Sequence, residues 1–288
     1  MTDATALPPP DVVGRLRAAG CVFAEDEARL IAAQATTTRE LDALVARRVA
    51  GEPLEQVLGW AEFCGLRITM VPGVFVPRRR TAFLVQQAVA AVTEPTRTEA
   101  RAPAARPPVV VDLCCGSGAV GAAVAAALGE IELHAADVDP AAVRCARLNL
   151  AGVGQVHQGD LFAALPPALR GSVDVLVANA PYVPTDAIRL MPPEARLHEP
   201  AVALDGGPDG LDLHRRIAAD APLWLAPGGQ LLIETSRRQA PQAAEAFERS
   251  GLAPRVATSE ELGATVVVGT RSASSGPSDT TCSRPIAT

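Results

Sequence analysis

The sequence predicts an α/β protein: a doubly wound, mostly parallel, seven-stranded Rossmann-like sheet with a small helical N-terminal domain and a β-hairpin connector. Three observations predict it. From residue 109 onward, short apolar runs alternate with helix-period segments. The first of those runs, Val109-Val-Val111, passes through a glycine-rich turn into a helical stretch. Before Gly59 the apolar residues recur with helical spacing instead.

Asp11 to Ala19, Glu25 to Ala35 and Thr38 to Ala50 read as short amphipathic helices, with Thr38 and Glu40 at a helix start and Gly51 as a stop. From Trp60 the period becomes two. One strand over 63–70, a turn at Pro72-Gly73 and a returning strand over 74–76 form the expected hairpin, followed by a helix from Arg80 to Ala91. Residues 93–107 are rich in Pro, Ala and charge and read as a flexible linker. Strands then fit at 109–113, 131–136, 153–157, 173–178, 229–235, 253–257 and 264–269. Helices fit at 118–128, 140–150, 208–221 and 239–250. The closeness of the last two strands predicts an antiparallel finish. The expected domains are 1–59 (helical), 60–92 (hairpin and connecting helix), 93–107 (linker), 108–271 (sheet) and 272–288 (a low-complexity, disordered tail).

Composition narrows the chemistry. The chain has no lysine among its 288 residues, which excludes a Walker-type phosphate loop and Schiff-base catalysis. A net charge of −6 argues against nucleic acid as the main partner. No charged-then-apolar leader opens the sequence, and the most apolar stretch, Ala119 to Leu128, is too short to span a bilayer. The expectation is a soluble, cytoplasmic protein with no membrane partner. Neither the cysteines nor the histidines have zinc-ligand spacing, so no metal is expected. The adjacent pair Cys114-Cys115 reads as two small residues ending a buried strand, with a redox or metal role as the alternative.

The segment Asp112-Leu-Cys-Cys-Gly116-Ser-Gly118-Ala-Val-Gly121 carries the cofactor argument. Its glycines let backbone N–H groups approach a ligand at a helix start, a pattern shared with nicotinamide-cofactor folds. The acid Asp112 at the strand end would repel a pyrophosphate and attract an ammonium and a sulfonium, which points to S-adenosyl-L-methionine. Asp137 ends the next strand, where a carboxylate accepts both ribose hydroxyls, and Asp160 follows the third, within reach of an adenine amino group. Each acid can also serve as a plain helix cap, the simpler role for Asp139 before Pro140.

The fourth strand ends in Asn179-Ala180-Pro181-Tyr182. An amide nitrogen is a poor nucleophile, and two acceptors aimed at its hydrogens hold it with the lone pair facing the methyl group. The Asn179 side chain and the carbonyl of residue 180 supply two such acceptors. Pro181 stiffens the turn, and Tyr182 is expected to pack beside the reacting centre.

Here the sequence resembles the HemK/PrmC family of protein-(glutamine-N5) methyltransferases, which act on class-1 peptide chain release factors. The resemblance spans most of the chain. It rests on Gly51 to Gly59, Ala61 to Phe63, Pro72 to Arg78, Asp112 to Gly118, Asn179 to Tyr182, Glu199 to Leu204 and Gly228 to Glu234. It implies a methyltransferase sheet and a release factor as protein partner. It implies cofactor contacts at Asp112, Gly116, Gly118, Asp137, Asp160, Leu161 and Asn179, catalytic roles for Asn179, Pro181 and Tyr182, and substrate contacts from these three with Ala180, Arg78 and Glu199. Two departures stand out. Ala180 replaces the first proline of the usual Asn-Pro-Pro-Tyr turn, and Arg80 replaces an acidic residue in Pro77-Arg-Arg-Arg-Thr81. Alternatives remain open: another protein, a small molecule or an adenine as acceptor, a catalytically inactive cofactor-binding partner, or a nicotinamide-dependent oxidoreductase.

Overall fold

The computed structural model describes residues 10–93 and 106–273. Helices α1 (Pro10–Ala18), α2 (Ala24–Gln34) and α3 (Thr38–Val49) open it. Their inward residues Val12, Leu16, Ala28, Ile31 and Val45 form a separate apolar cluster that Leu58 completes. The cap of α3 is Thr37 rather than Thr38. Its hydroxyl accepts from Glu40 N at 3.2 Å, while the Glu40 carboxylate accepts from Thr36 N at 2.8 Å. Arg48 pairs with Glu27 at 2.6 Å and reaches Glu194 at 3.5 Å, tying this helical part to a segment about 150 residues further along the chain.

The hairpin differs from expectation. After α4 (Leu54–Leu58) the chain forms β1 (Trp60–Phe63) and β2 (Leu66–Thr69), paired antiparallel from Trp60↔Thr69 to Phe63↔Leu66. It reverses at Cys64-Gly65, with φ of 51° and 77°, and not at Pro72-Gly73. A two-residue hairpin turn of this hand needs left-handed backbone at both central positions; Gly65 adopts it without strain, and the apolar positions shift phase across it, from Ala61 and Phe63 to Leu66, Ile68 and Met70. Residues 74–76 form no strand. Val74 and Val76 instead bury themselves in the main core. Arg79–Thr81 make one 3₁₀ turn before α5 (Ala82–Thr93).

The main sheet holds β3 (Val109–Leu113), β4 (Glu132–Asp137), β5 (Gln155–Gln158), β6 (Val173–Ala178), β7 (Leu225–Thr235), β8 (Leu252–Ser259) and β9 (Ala264–Arg271), ordered β5-β4-β3-β6-β7-β9-β8. All pairs from β5 to β7 are parallel, and β9 runs antiparallel between β7 and β8, as the sequence predicted. Between the strands lie α6 (Ala119–Leu128), α7 (Pro140–Asn149), α8 (Pro193–His198), α9 (Asp212–Trp224) and α10 (Ala240–Arg249). Both faces are covered. Val110, Val175 and Leu232 point into one cluster, and Val109, Val111, Leu176 and Ile233 into the other. Burial on both faces explains why these strands read as continuous apolar runs. The chain runs outward from β3 to β5 and then crosses back to β6, so the strand order reverses at the β3/β6 boundary.

Asn149 joins the hairpin to the glycine-rich turn: its side chain accepts from Thr69 N at 2.8 Å and donates to the carbonyls of Thr69 and Ser117, both at 2.9 Å. Among the described residues, no helix is long and apolar enough to cross a membrane. The expected linker and tail fall mostly outside the described residues.

Phe247, fully buried on α10, fills the space above Gly269 of β9, where an added Cβ would stand 2.4 Å from its ring. Phe247→Ala is expected to cost about 3–5 kcal/mol of stability, measured by urea unfolding. A loss below about 1 kcal/mol would mean that α10 is not anchored through this ring.

Candidate active site

A cavity of about 310 Å³ opens over the carboxyl ends of β3, β4 and β6. Parallel pairing sets the strand ends side by side, so Asp112, Asp137, Gly116, Asp160, Leu161, Asn179 and Pro181, scattered in sequence, all line it. Phe75, Pro77 and Thr81 close one side, and Pro200, Val202 and Ala203 another.

The three acids differ in surroundings. Asp112 is only 2% exposed, and its Oδ2 accepts from Gly121 N, in the first turn of α6, at 2.9 Å. Burial pushes its carboxyl up to about 7; the nearby Asp137 adds to the rise and the Gly121 bond opposes it. Asp137 accepts from Gly116 N through Oδ2 and from Asp139 N through Oδ1, both at 2.9 Å, and burial raises its pKa as well. Each of its oxygens retains a second lone pair for a ligand hydroxyl. Asp160 is exposed and pairs with Arg216 at 2.6 Å. Arg216 lines the same cavity, and nothing in its local sequence marks it. Asp139 caps α7 through Ala141 N at 2.9 Å, as expected.

Two non-glycine residues of the lining hold left-handed backbone, Cys114 at φ 55° and Leu161 at φ 48°. Such conformations cost about 1–2 kcal/mol each and concentrate at ligand sites. Gly118 also has positive φ, 77°, but lies outside the lining. A Cβ there would stand 3.2 Å from the Ala146 backbone, so this glycine serves the close packing of α6 on α7. Cys114 and Cys115 are unbridged, and burial pushes both thiols well up, which disfavours the thiolate needed for redox or metal chemistry.

In the turn after β6, the Asn179 amide nitrogen points to Thr81 Oγ1 at 3.5 Å, which leaves the carbonyl oxygen on the other branch. Ala180 is buried and Pro181 lines the cavity. Tyr182 corrects the sequence expectation. Its side chain turns away from this cavity and borders a second one of about 320 Å³. There its hydroxyl donates to Glu234 Oε1 at 3.1 Å, and burial pushes the phenol well up, with Glu234 adding to the shift. The reason is the buried carboxylate at the end of β7, 1% exposed, which outbids the cavity for the phenol. Arg80 donates to the same Oε1 at 3.1 Å. Gln239, buried, donates to the Tyr182 carbonyl and to that of Asp209, both at 2.9 Å.

Arg78 and Glu199 also stand outside the lining. Glu199 Oε1 accepts from Val76 N at 3.2 Å and from Arg78 at 2.6 Å, bracing the segment that carries Phe75 and Pro77. Burial raises the Glu199 pKa and Arg78 opposes the rise. Glu234 and Gln239 were missed in the sequence. The available signal was an ionisable residue closing the apolar run Leu231-Leu-Ile233.

Residues 101–208 match the Methyltransferase small domain (MTS) family. A release factor glutamine methyltransferase of Geobacter sulfurreducens is 36% identical over 231 residues, covering 79% of this chain and 76% of the relative. The chain belongs to the release factor glutamine methyltransferase (HemK/PrmC) family. A second relative, from Streptomyces pristinaespiralis, is 34% identical over 258 residues, covering 84% of this chain and 86% of its own, and is a 4-amino-L-phenylalanine/4-methylamino-L-phenylalanine methyltransferase. A methyltransferase from Pyrococcus furiosus shares the fold, with a TM-score of 0.51 at 16% identity over 79% of this chain and 97% of that one. Membership in this family removes the nicotinamide-dependent alternative.

The acid in the floor makes stability depend on pH. Folded Asp112 titrates at about 7 against an ordinary value of 3.8, so between these values the folded protein holds a proton that the unfolded chain has lost. Stability therefore falls as pH rises through that window, by at most about 4 kcal/mol from this group. Asp112→Asn keeps an acceptor for Gly121 N and cannot ionise. Urea unfolding is expected to show the variant gaining on wild type between pH 5 and pH 8; a constant difference would refute the assignment.

Proposed function

We propose that this family member transfers the methyl group of S-adenosyl-L-methionine to the side-chain amide nitrogen (N5) of a glutamine in a protein, a class-1 peptide chain release factor. The observation that carries the reading is the placement of Asn179 and Pro181, on either side of the buried Ala180, in the lining of a cavity that also holds the buried Asp112 carboxylate and Asp137.

The cavity suits that cofactor. Asp112 is desolvated, with a pKa near 7 when no cation faces it, so a cationic ligand gains by drawing it into the ionised form. Asp137 has lone pairs to offer a ribose, and Asp160 and Leu161, in the same lining, support the reading of an adenine contact there. Bound there, the cofactor supplies an electrophilic methyl group. The protein's share is positioning. The Asn179 oxygen and the Ala180 carbonyl take the two amide hydrogens, which orients the nitrogen lone pair. Alignment and exclusion of water can supply about 7–11 kcal/mol of a barrier, so no general base is assigned. After transfer the nitrogen gives up a proton to solvent.

A free aromatic amine is the second acceptor class to test. It is supported by the match to the aminophenylalanine enzyme, which covers 84% of this chain, and by the apolar walls Phe75, Pro77 and Val202. The acidic balance of the chain speaks against adenine in a polymer.

Purified protein supplied with labelled cofactor is expected to label a release factor on the glutamine of its Gly-Gly-Gln peptide, read by mass spectrometry. Label on 4-aminophenylalanine or DNA and none on the release factor would overturn the choice of acceptor. Asn179→Ala is expected to lower kcat by roughly 10²–10³-fold, the scale for losing one preorganised polar group. Cofactor affinity should stay within a few-fold, and an equal loss of both would assign Asn179 to cofactor binding alone.

A further inference from the structure

Tyr182 is held at each of its polar ends. Its hydroxyl and the Arg80 Nε donate to one and the same oxygen, Glu234 Oε1, each at 3.1 Å. The Arg80 guanidinium carbon lies 5.9 Å from the Tyr182 ring centroid, and the ring of buried His214 meets it edge-on at 6.3 Å. Gln239 holds the carbonyl. Pro181 therefore lines the first cavity while Tyr182 and Arg80 line the second, and the chain between residues 181 and 182 is the partition. On the other side of the cleft, Thr81 and Arg80 divide in the same way.

We propose that Arg80, paired with Glu234, is a positioning residue for the acceptor turn: it holds Tyr182 on the far side of the partition and thereby sets which acceptors fit against Asn179 and Pro181. The physical case has two parts. Glu234 is 1% exposed and, among the described residues, its second oxygen has no hydrogen-bond partner and Arg80 is its one cationic partner. Arg80 itself is 45% exposed on its side chain, so its loss removes the clamp without emptying the core. Without it, the phenol and carboxylate are free to reorient, and the turn loses its fixed width. The proposal rests on the methyl-transfer reading for its consequence and on Tyr182 alone for its geometry.

The chain has a single tyrosine, which makes the geometry directly visible. Tyrosine labelled with carbon-13 at Cζ gives one NMR resonance, reporting the hydrogen bonding of this hydroxyl. Arg80→Gln and Glu234→Gln are expected to shift that resonance, whereas Arg80→Lys leaves it near its wild-type position. Arg80→Gln should lower kcat/KM for the acceptor at least tenfold, with the cofactor Kd within twofold of wild type. Because Arg80 acts through Tyr182, adding Arg80→Gln to Tyr182→Phe should cost less than a further twofold. An unmoved resonance in Arg80→Gln, or additive losses in the double variant, overturns the proposal. A shifted resonance in a protein that methylates no glutamine upholds the clamp and rejects the acceptor reading.

Discussion

Parallel pairing of β3 with β4 on one side and β6 on the other is the constraint on which the site depends. Parallel strands end together, and a crossover must carry the chain over a face of the sheet each time. The polar residues that close β3, β4 and β6 are thereby brought to one edge although 67 positions separate Asp112 from Asn179. Apolar cover on both faces buries the end of β3, and that burial raises the Asp112 carboxyl toward neutrality.

Around this floor the cleft is built from pieces that the sheet does not supply. The segment with Phe75 and Pro77 reaches it from the hairpin and is braced by Glu199, whose Oε1 takes both Val76 N and Arg78. Arg48 links the N-terminal helices to Glu194, a few residues before that brace. Asn149 fastens the hairpin to Ser117. These walls of the cleft are therefore assembled across long sequence distances by a handful of ion pairs and side-chain hydrogen bonds, whereas its floor is made largely by strand ends.

Arg80, which the sequence reading set apart from the family's pattern, lies outside the lining of the first cavity and pairs with a buried carboxylate. What reads in isolation as a charge reversal in a basic run is, in the folded protein, half of an ion pair. Ala180, where the family's pattern has proline, is buried, and the turn is held at Tyr182 by Gln239 and Glu234.

The sheet, its antiparallel finish, the helices between strands and the gathering of three acids at one cavity were legible in the sequence. They depend on local periodicity and on residues placed at the ends of apolar runs, and those signals survive folding unchanged. The reversal at Cys64-Gly65 was not, although the apolar positions shift phase across it, from Ala61 and Phe63 to Leu66, Ile68 and Met70. Nor were the turning of Tyr182 toward Glu234, the pairing of Asp160 with Arg216, or the brace at Glu199. Each of these joins residues far apart in the chain, and a side chain's partner is chosen by which charge is buried beside it in space. The sequence alone determined which residues meet at the strand ends; only the tertiary structure decided which way they face, because orientation follows from burial and charge pairing that no local pattern contains.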